Sequence, residues 1–311
     1  VTGMGRGPGN AKTEELLIET NAEEEDKCNI VPLLSTIEEC FTPLQEKHKW
    51  GKNIYYFMSG KKGIHPSFVQ QMLNDSRYDG TDIINAINNL AVKEAKDFNT
   101  SALVNANNFY KEKSTGTWRP SKTISGREVL ILAPGPSSEK HREQIERYIS
   151  ETRPIVIGLN LASKVADEFI NYKAICHPIR FLTAESAIRN QKTTIITPIK
   201  PSVGWKEGNS TVPTIEHFGM QVKDGQYNFY ETNCITPKPL VLAYVLAIAV
   251  SGKASSISIV GIDGYPPGDT RNNEVDDILK LFDQNKGSIP LCSLTPTAHS
   301  SIECKSIYGA T

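Results

Sequence analysis

The chain has 311 residues, with 34 Lys and Arg against 35 Asp and Glu, so it is long enough for two domains and carries a net charge of only -1. That balance gives no electrostatic footing for nucleic acid or an anionic membrane surface, and no apolar run reaches spanning length. No signal peptide is visible, and Cys28, Cys40, Cys176, Cys234, Cys292 and Cys304 are scattered without zinc spacing, so reduced thiols in a cytoplasmic protein are expected.

The first line holds the densest signal. Four glycines fall within residues 3–9, which excludes a regular helix or strand there. Residues 11–18 then read as the first turns of a helix, with Glu14 and Glu15 near its positive end. A glycine-rich loop thus delivers one amide side chain, Asn10, to the mouth of a helix. Val1 in place of an initiator Met fits a chain that continues upstream.

The string GMGRGPGNAKTEELL at residues 3–17 resembles the glycine-rich loop after the last barrel strand of metal-dependent aldolases and acyltransferases. These are the enzymes related to HMG-CoA lyase, isopropylmalate synthase and 4-hydroxy-2-oxovalerate aldolase. The resemblance implies the end of a TIM barrel, with chemistry at the C-terminal strand ends. It implies Asn10 as a ligand of a divalent ion, Mg or Mn, and a keto acid or aldehyde as substrate. In that family the metal polarises the keto acid's carbonyl during C–C cleavage or condensation. The family's Asp-Arg-Glu motif and His-x-His pair are missing from this sequence, so the lyase is expected to be inactive as this fragment.

Apolar positions at helical spacing continue over residues 32–41, 66–73 and 81–95, with Thr81 and Asp82 offering cap oxygens. Residues 50–57 and 63–66 also resemble the region behind the barrel in the same group. His65, before a proline, reads as a loop or cap residue. Residues 110–126 are polar and rich in Lys, Ser, Thr, Gly and Pro, the composition of a linker.

Beyond 126 the pattern changes to short apolar runs of buried-strand type at 128–133, 155–160, 173–176, 193–197 and 256–261. Helical stretches alternate with them, up to residue 149, around 240–251 and over 275–282. Such alternation predicts a parallel sheet covered on both faces. The fold expectation is therefore α/β. A helical remnant of a TIM-barrel C-terminus spans 1–110, a linker 111–126, and a Rossmann-like three-layer domain with a mainly parallel sheet 127–311.

In such sheets ligands bind beyond the carboxyl ends of the strands. Three polar clusters fall there: residues 135–138, Asn160 and Asp263. Residues 135–138, Gly-Pro-Ser-Ser, read equally as a phosphate cradle and as a tight turn capping a helix. Asp263 reads evenly as facing the cleft or capping the next turn. His177, at a strand end, is a weaker candidate for the same cleft.

The joint spacing of LILAPGPS, GLN, NCITPK and SIVGIDGY resembles a bacterial sialyltransferase family and related phosphate-binding Rossmann-like domains. The resemblance implies a cytidine nucleotide or sugar-phosphate held by Gly135, Ser137, Asn160 and Thr236. The family's general-base histidine has no counterpart between Gly264 and Asp277, and His299, further on, reads first as an ordinary loop histidine. Three functions stay open. One is the C-terminal portion of a keto-acid aldolase or acyltransferase, fused to a nucleotide-binding domain and serving surface-polysaccharide biosynthesis. The second is a glycosyltransferase using a CMP-sugar. The third is a non-catalytic binding module. Homo-oligomerisation is compatible with each.

Overall fold

The computed structural model describes residues 1–5, 9–21, 29–51, 53–73, 78, 80–92, 109–111, 114–200 and 213–310. It divides into two compact units, Val1–Asn105 and Ala106–Thr311.

The described part of the first unit is helical. Helices span Thr13–Asn21, Val31–Thr36, Thr42–His48, Ile54–Lys61, Pro66–Leu73 and Gly80–Val92, with a π-helical turn, Ile37–Phe41, joining the second and third. Its core comes from the last three. Phe68, Val69 and Met72 on one helix, and Ile83, Ala86 and Ile87 on the next, are buried at the spacing of a single helical face. Tyr56 and Ile64 join them. Burying a side chain the size of Val69, Met72 or Ile87 contributes about 1.5–3 kcal/mol. Asn53 starts the helix Ile54–Lys61, its side-chain oxygen accepting the Tyr56 N–H at 3.0 Å. The expected helix over 66–73 is found with those bounds, and the one expected from 81 begins at Gly80. The expected residues 93–95 lie outside the described ones. No strand occurs among the described residues of this unit.

The second unit is a three-layer α/β fold around an eight-stranded parallel sheet. Its strands are β1 Glu128–Leu132, β2 Ile155–Leu159, β3 Tyr172–Ala174, β4 Thr194–Thr197, β5 Ile215–His217, β9 Ser256–Val260, β10 Leu291–Ser293 and β11 Glu303–Cys304. Their order across the sheet is β11-β10-β9-β1-β2-β3-β4-β5. Three further strands, β6 Gly219–Val222, β7 Asn228–Phe229 and β8 Asn233–Thr236, make a small separate sheet in the order β6-β8-β7. Strand alternation feeds two cores. Val129 and Ile131 of β1 pack with the helix Val241–Ser251 and with Ile278, Leu279 and Phe282 on one face. Leu130 and Leu132 pack with Ile145, Tyr148 and Ile149 of the helix Arg142–Thr152 on the other. The helix Val241–Ser251 is apolar all round because the small sheet covers the side turned away from the large one, and Leu242 through Ala249 are all buried.

The five runs read as strands from the sequence are all strands. The stretch 111–126, expected as a linker, is built into the second unit where it is described. Trp118 and Ile124 are buried in its core, and the N–H groups of Gly116 and Trp118 donate to Thr232 O and His217 O. Two large apolar side chains outweighed a polar composition.

At the N-terminal edge of the sheet Tyr148 Oη donates to both Glu128 oxygens, at 2.7 and 2.8 Å, and Ser258 Oγ to one of them at 2.5 Å. At the far edge, on β5, burial pushes the His217 imidazole below its ordinary pKa, and the Lys200 charge adds to this. A hydrogen bond to Pro198 O, at 3.0 Å, acts in the opposite sense. A histidine that resists protonation only when folded costs stability as pH falls from its unfolded pKa, about 6.5, towards its lower folded pKa. The melting temperature is therefore expected to fall between pH 7 and pH 5, and less steeply in His217→Gln, which keeps a donor for Pro198 O. Parallel melting curves across that range check this, and an identical pH slope in the variant would refute it.

Candidate functional site

The strand order fixes where a site can form. From β1 the chain runs outward through β2, β3, β4 and β5, then returns through the helix Val241–Ser251 to β9 on the other side of β1. The loops leaving the C-terminal ends of β1 and β9 run to helices on opposite faces of the sheet, and open α/β sheets hold ligands in the crevice outside such strand ends. The first carries Gly135 and Ser137. The second carries Gly261, Asp263 and Gly264.

These two loops are tied together by hydrogen bonds. The Gly135 N–H donates to Gly261 O at 3.0 Å. Ser137 donates its N–H to Asp263 Oδ1 at 3.0 Å and its hydroxyl to Asp263 Oδ2 at 2.8 Å. The Ser137 and Thr295 hydroxyls are 3.0 Å apart, and Thr295 Oγ1 accepts the Gly261 N–H at 2.9 Å. With one proton per hydroxyl, a chain from Gly261 N–H through Thr295 and Ser137 to Asp263 satisfies every group. Asp263 thus caps the helix Pro136–Lys140 from the adjoining loop after β9, where its negative charge meets the helix's positive end. This settles which turn it caps: the one after β1, not the one after its own strand.

Gly135 is glycine for a reason visible here. A Cβ would run into the Asp263 carboxylate and the Gly261 carbonyl. Gly261, at φ +76°, is held the same way against Ala133 O. The backbone donors of the loop are committed: Gly135 to Gly261, Ser137 to Asp263 and Ser138 to Gly135 O, while Pro136 has none. A phosphate seated on Ser137 would have to take the place of the Asp263 carboxylate.

Of the remaining residues singled out from the sequence, Asn160 and His177 follow strands of the large sheet and Thr236 ends a strand of the small one. Asn160 follows β2 with φ +63°, a left-handed conformation that asparagine tolerates better than most residues. Its backbone N–H donates to Ala174 O, and its side-chain amide has no partner among the described residues. Thr236 ends β8 just before the helix Val241–Ser251 and is fully buried, its hydroxyl donating to Lys238 O at 3.0 Å. His177 follows β3, where its carbonyl accepts the Phe181 N–H.

His299 is not an ordinary loop histidine. Its side chain is 2 % exposed, and Nδ1 lies 2.9 Å from Asp276 Oδ1 on the helix Thr270–Asn285. A carboxylate there fixes the tautomer with the proton on Nδ1 and leaves Nε2 as an acceptor. Nε2 lies near Gly264, the residue after Asp263: a Cβ there would make an ordinary contact with it at 3.7 Å, whereas the φ of +97° and Ala298, 2.9 Å from such a Cβ, are what require glycine. Ala298 N–H donates to Asp263 O at 2.9 Å and locks the two loops in this register. Sequence reasoning missed Thr295, Asp276 and the pairing of His299. Their partners lie far along the chain, and only the sheet order brings them together.

In the first unit the loop's start folds back on the helix Thr13–Asn21. The Thr2 N–H donates to both Glu14 oxygens, at 2.9 and 3.0 Å, and Asn10 Nδ2 donates to Met4 O at 2.8 Å. A cavity of about 460 Å³ is lined by Thr2, Gly3, Asn10, Glu14, Glu15, Gln45 and Gly51, among others. No group of three His, Cys, Asp or Glu placed to hold a metal occurs among the described residues. Glu14 is bound to Thr2 and one Glu15 oxygen to Lys12, so the lining offers the Asn10 and Gln45 amide oxygens and the second Glu15 oxygen. A hard cation takes about six oxygens. The described residues therefore do not fit a metal by themselves.

No protein-family model matches the sequence, and no curated protein is significantly similar to it. Among solved structures the chain is similar to one described as the structure of MAf glycosyltransferase from Magnetospirillum magneticum AMB-1. Identity is 13 % and the TM-score 0.45, over 91 % of this chain and 51 % of that one. The chain thus spans about half the length of that structure.

Thr295→Val tests the hydrogen-bonded frame. It removes the acceptor of the buried Gly261 N–H and the neighbour of Ser137 Oγ while keeping the volume. A loss of about 1–3 kcal/mol is expected in denaturant unfolding. A variant as stable as the parent would mean that the chain of hydrogen bonds contributes nothing.

Proposed function

We propose that residues 106–311 bind a nucleotide or nucleotide-sugar in the crevice between the ends of β1 and β9 and transfer the sugar to an acceptor hydroxyl. The observation that carries this reading is the His299–Asp276 pair, oriented by its carboxylate and directed at the loop that forms one wall of the crevice. The unpartnered Asn160 amide supports it from the neighbouring strand end. In this reading Asn160 hydrogen-bonds the base or ribose and Asp263 accepts from a ribose hydroxyl. Ser137 and Gly135 frame the phosphate end, and Thr236 shapes the loop above β3. A cytidine nucleotide is the ligand of choice.

The chemistry divides simply. As the acceptor oxygen bonds to the sugar's anomeric carbon, its proton passes to His299 Nε2. The bond from that carbon to the nucleotide phosphate oxygen breaks, and the phosphate leaves with the electron pair. Asp276 stabilises the imidazolium that results.

A second reading applies to the first unit. The Asn10 loop, with its side chain held by Met4 O and its oxygen uncommitted beside a cavity, supports a role as one wall of a metal-dependent keto-acid site of the aldolase type. The other ligands of a Mg or Mn ion would then come from outside this sequence. On this reading the chain alone is expected to show no metal-dependent cleavage of a 4-hydroxy-2-keto acid. Turnover by the purified chain would overturn it.

For the main reading, calorimetry of the whole chain with CMP, CDP and CTP is expected to show saturable binding. Asn160→Ala should weaken it by about ten-fold, the equivalent of one hydrogen bond. His299→Ala should leave binding in place and lower turnover of a CMP-sugar by about 10²–10⁴-fold. Absence of saturable heat with any nucleotide would sink the proposal.

A further inference from the structure

Tyr265 stands on the loop after β9, two residues beyond Asp263, and is 40 % exposed. An exposed tyrosine is ordinarily free to swing, but this one is clamped. Asn272 accepts the Tyr265 N–H at 2.8 Å through its amide oxygen and donates its amide N–H to Tyr265 O at 3.0 Å and Pro266 O at 3.3 Å. Both backbone polar groups of Tyr265 are thereby tied to the first turn of the helix Thr270–Asn285.

The ring is held as well. The Arg271 guanidinium lies 4.0 Å over its centroid, a cation–π contact. Arg271 is itself fixed by Asp269, with Nε at 3.0 and 3.1 Å and one terminal nitrogen at 2.6 Å from the carboxylate. Asp269 also caps the helix by accepting the Arg271 N–H at 2.9 Å. That ion pair holds the Asp269 carboxyl down, at about 2, so the arrangement persists across the physiological range. The guanidinium covers one face of the ring, and the residue as a whole stays 40 % exposed.

Tyr265 belongs to none of the buried clusters, so core formation does not account for the arrangement. A rigid, half-covered aromatic ring beside a ligand crevice has a physical use: a flat partner stacks on it without paying to order it. We infer that Tyr265 is the platform on which the base of the bound nucleotide stacks, with Arg271 backing the ring from behind. This rests on the nucleotide reading above and adds to it the residue that distinguishes a nucleotide from a sugar phosphate. Every base has a π face, so the platform favours a base over none without choosing among bases.

The test is calorimetric titration of the full chain with CMP and, separately, with ribose 5-phosphate, which has the sugar and phosphate but no base. Tyr265→Ala is expected to weaken CMP binding by about ten-fold or more and to leave ribose 5-phosphate unchanged. Tyr265→Leu, which restores bulk without a π face, should behave like Tyr265→Ala, and Tyr265→Phe should bind CMP as the parent does. Equal CMP affinity in the parent and Tyr265→Ala overturns the platform and leaves the nucleotide reading standing. An equal loss for both ligands overturns it too, assigning Tyr265 to the shape of the phosphate end. A parent chain that binds neither ligand overturns both the platform and the reading beneath it. Since Tyr265 is exposed and outside the core, all three variants are expected to melt as the parent does.

Discussion

Everything in the second unit depends on β1 being a central parallel strand. Val129–Leu132 pairs with Ile155–Gly158 on one side and with Ile257–Val260 on the other, all in the same direction. Parallel pairing requires a crossover between successive strands, and the crossovers here place helices on both faces. The strand is then buried on both sides, which is why residues 129–132 are apolar without alternation while their side chains still divide between two cores. The same geometry brings every strand-to-helix loop to one edge. The position of the crevice is a consequence of the sheet and not a separate feature.

The crevice is shaped by a charge placed where the fold would otherwise have an unsatisfied helix end. Asp263 meets the Ser137 N–H and hydroxyl from the adjoining loop, so the loops after β1 and β9 cannot drift apart without exposing a carboxylate or stranding a donor. Gly135 and Gly261 are required for so close an approach. A phosphate and the Asp263 carboxylate have the same demand, an anion at that helix start. A ligand phosphate at this end must either displace the carboxylate or sit outside it.

What could be read from the sequence follows from how local each signal is. Continuous apolar runs such as 128–133 and 155–160 mark buried parallel strands because burial on both faces removes any polar position. β5, β10 and β11 carry no such run: they are two or three residues long, half buried in β5 and β10 and exposed in β11. Gly135, Ser137 and Asp263 were recognisable as strand-end residues, but not as one another's partners. His299 looked idle because its partner, Asp276, sits 23 residues earlier on a helix whose rotation no local pattern reveals. The linker reading failed on Trp118 and Ile124, where composition averaged away two anchoring side chains.

The hydrogen-bond inventory separates residues that build the site from those left to act in it. Gly135, Ser137, Thr295 and Thr236 have their donors used within the chain, and each such bond fixes a loop. The Asn160 amide and His299 Nε2 keep capacity that the fold does not use, although the backbone around each is tightly held. Asn160 is held in a left-handed conformation and His299 between Asp276 and the Gly264 loop. An unspent polar group on a rigid mount is costly to leave unmatched if folding is the only purpose, because water or a partner must still be found for it. Tyr265 repeats the pattern with an aromatic face in place of a polar atom. Three such groups stand on the loops after β2, β9 and β10, each held in place and each incompletely used within the chain.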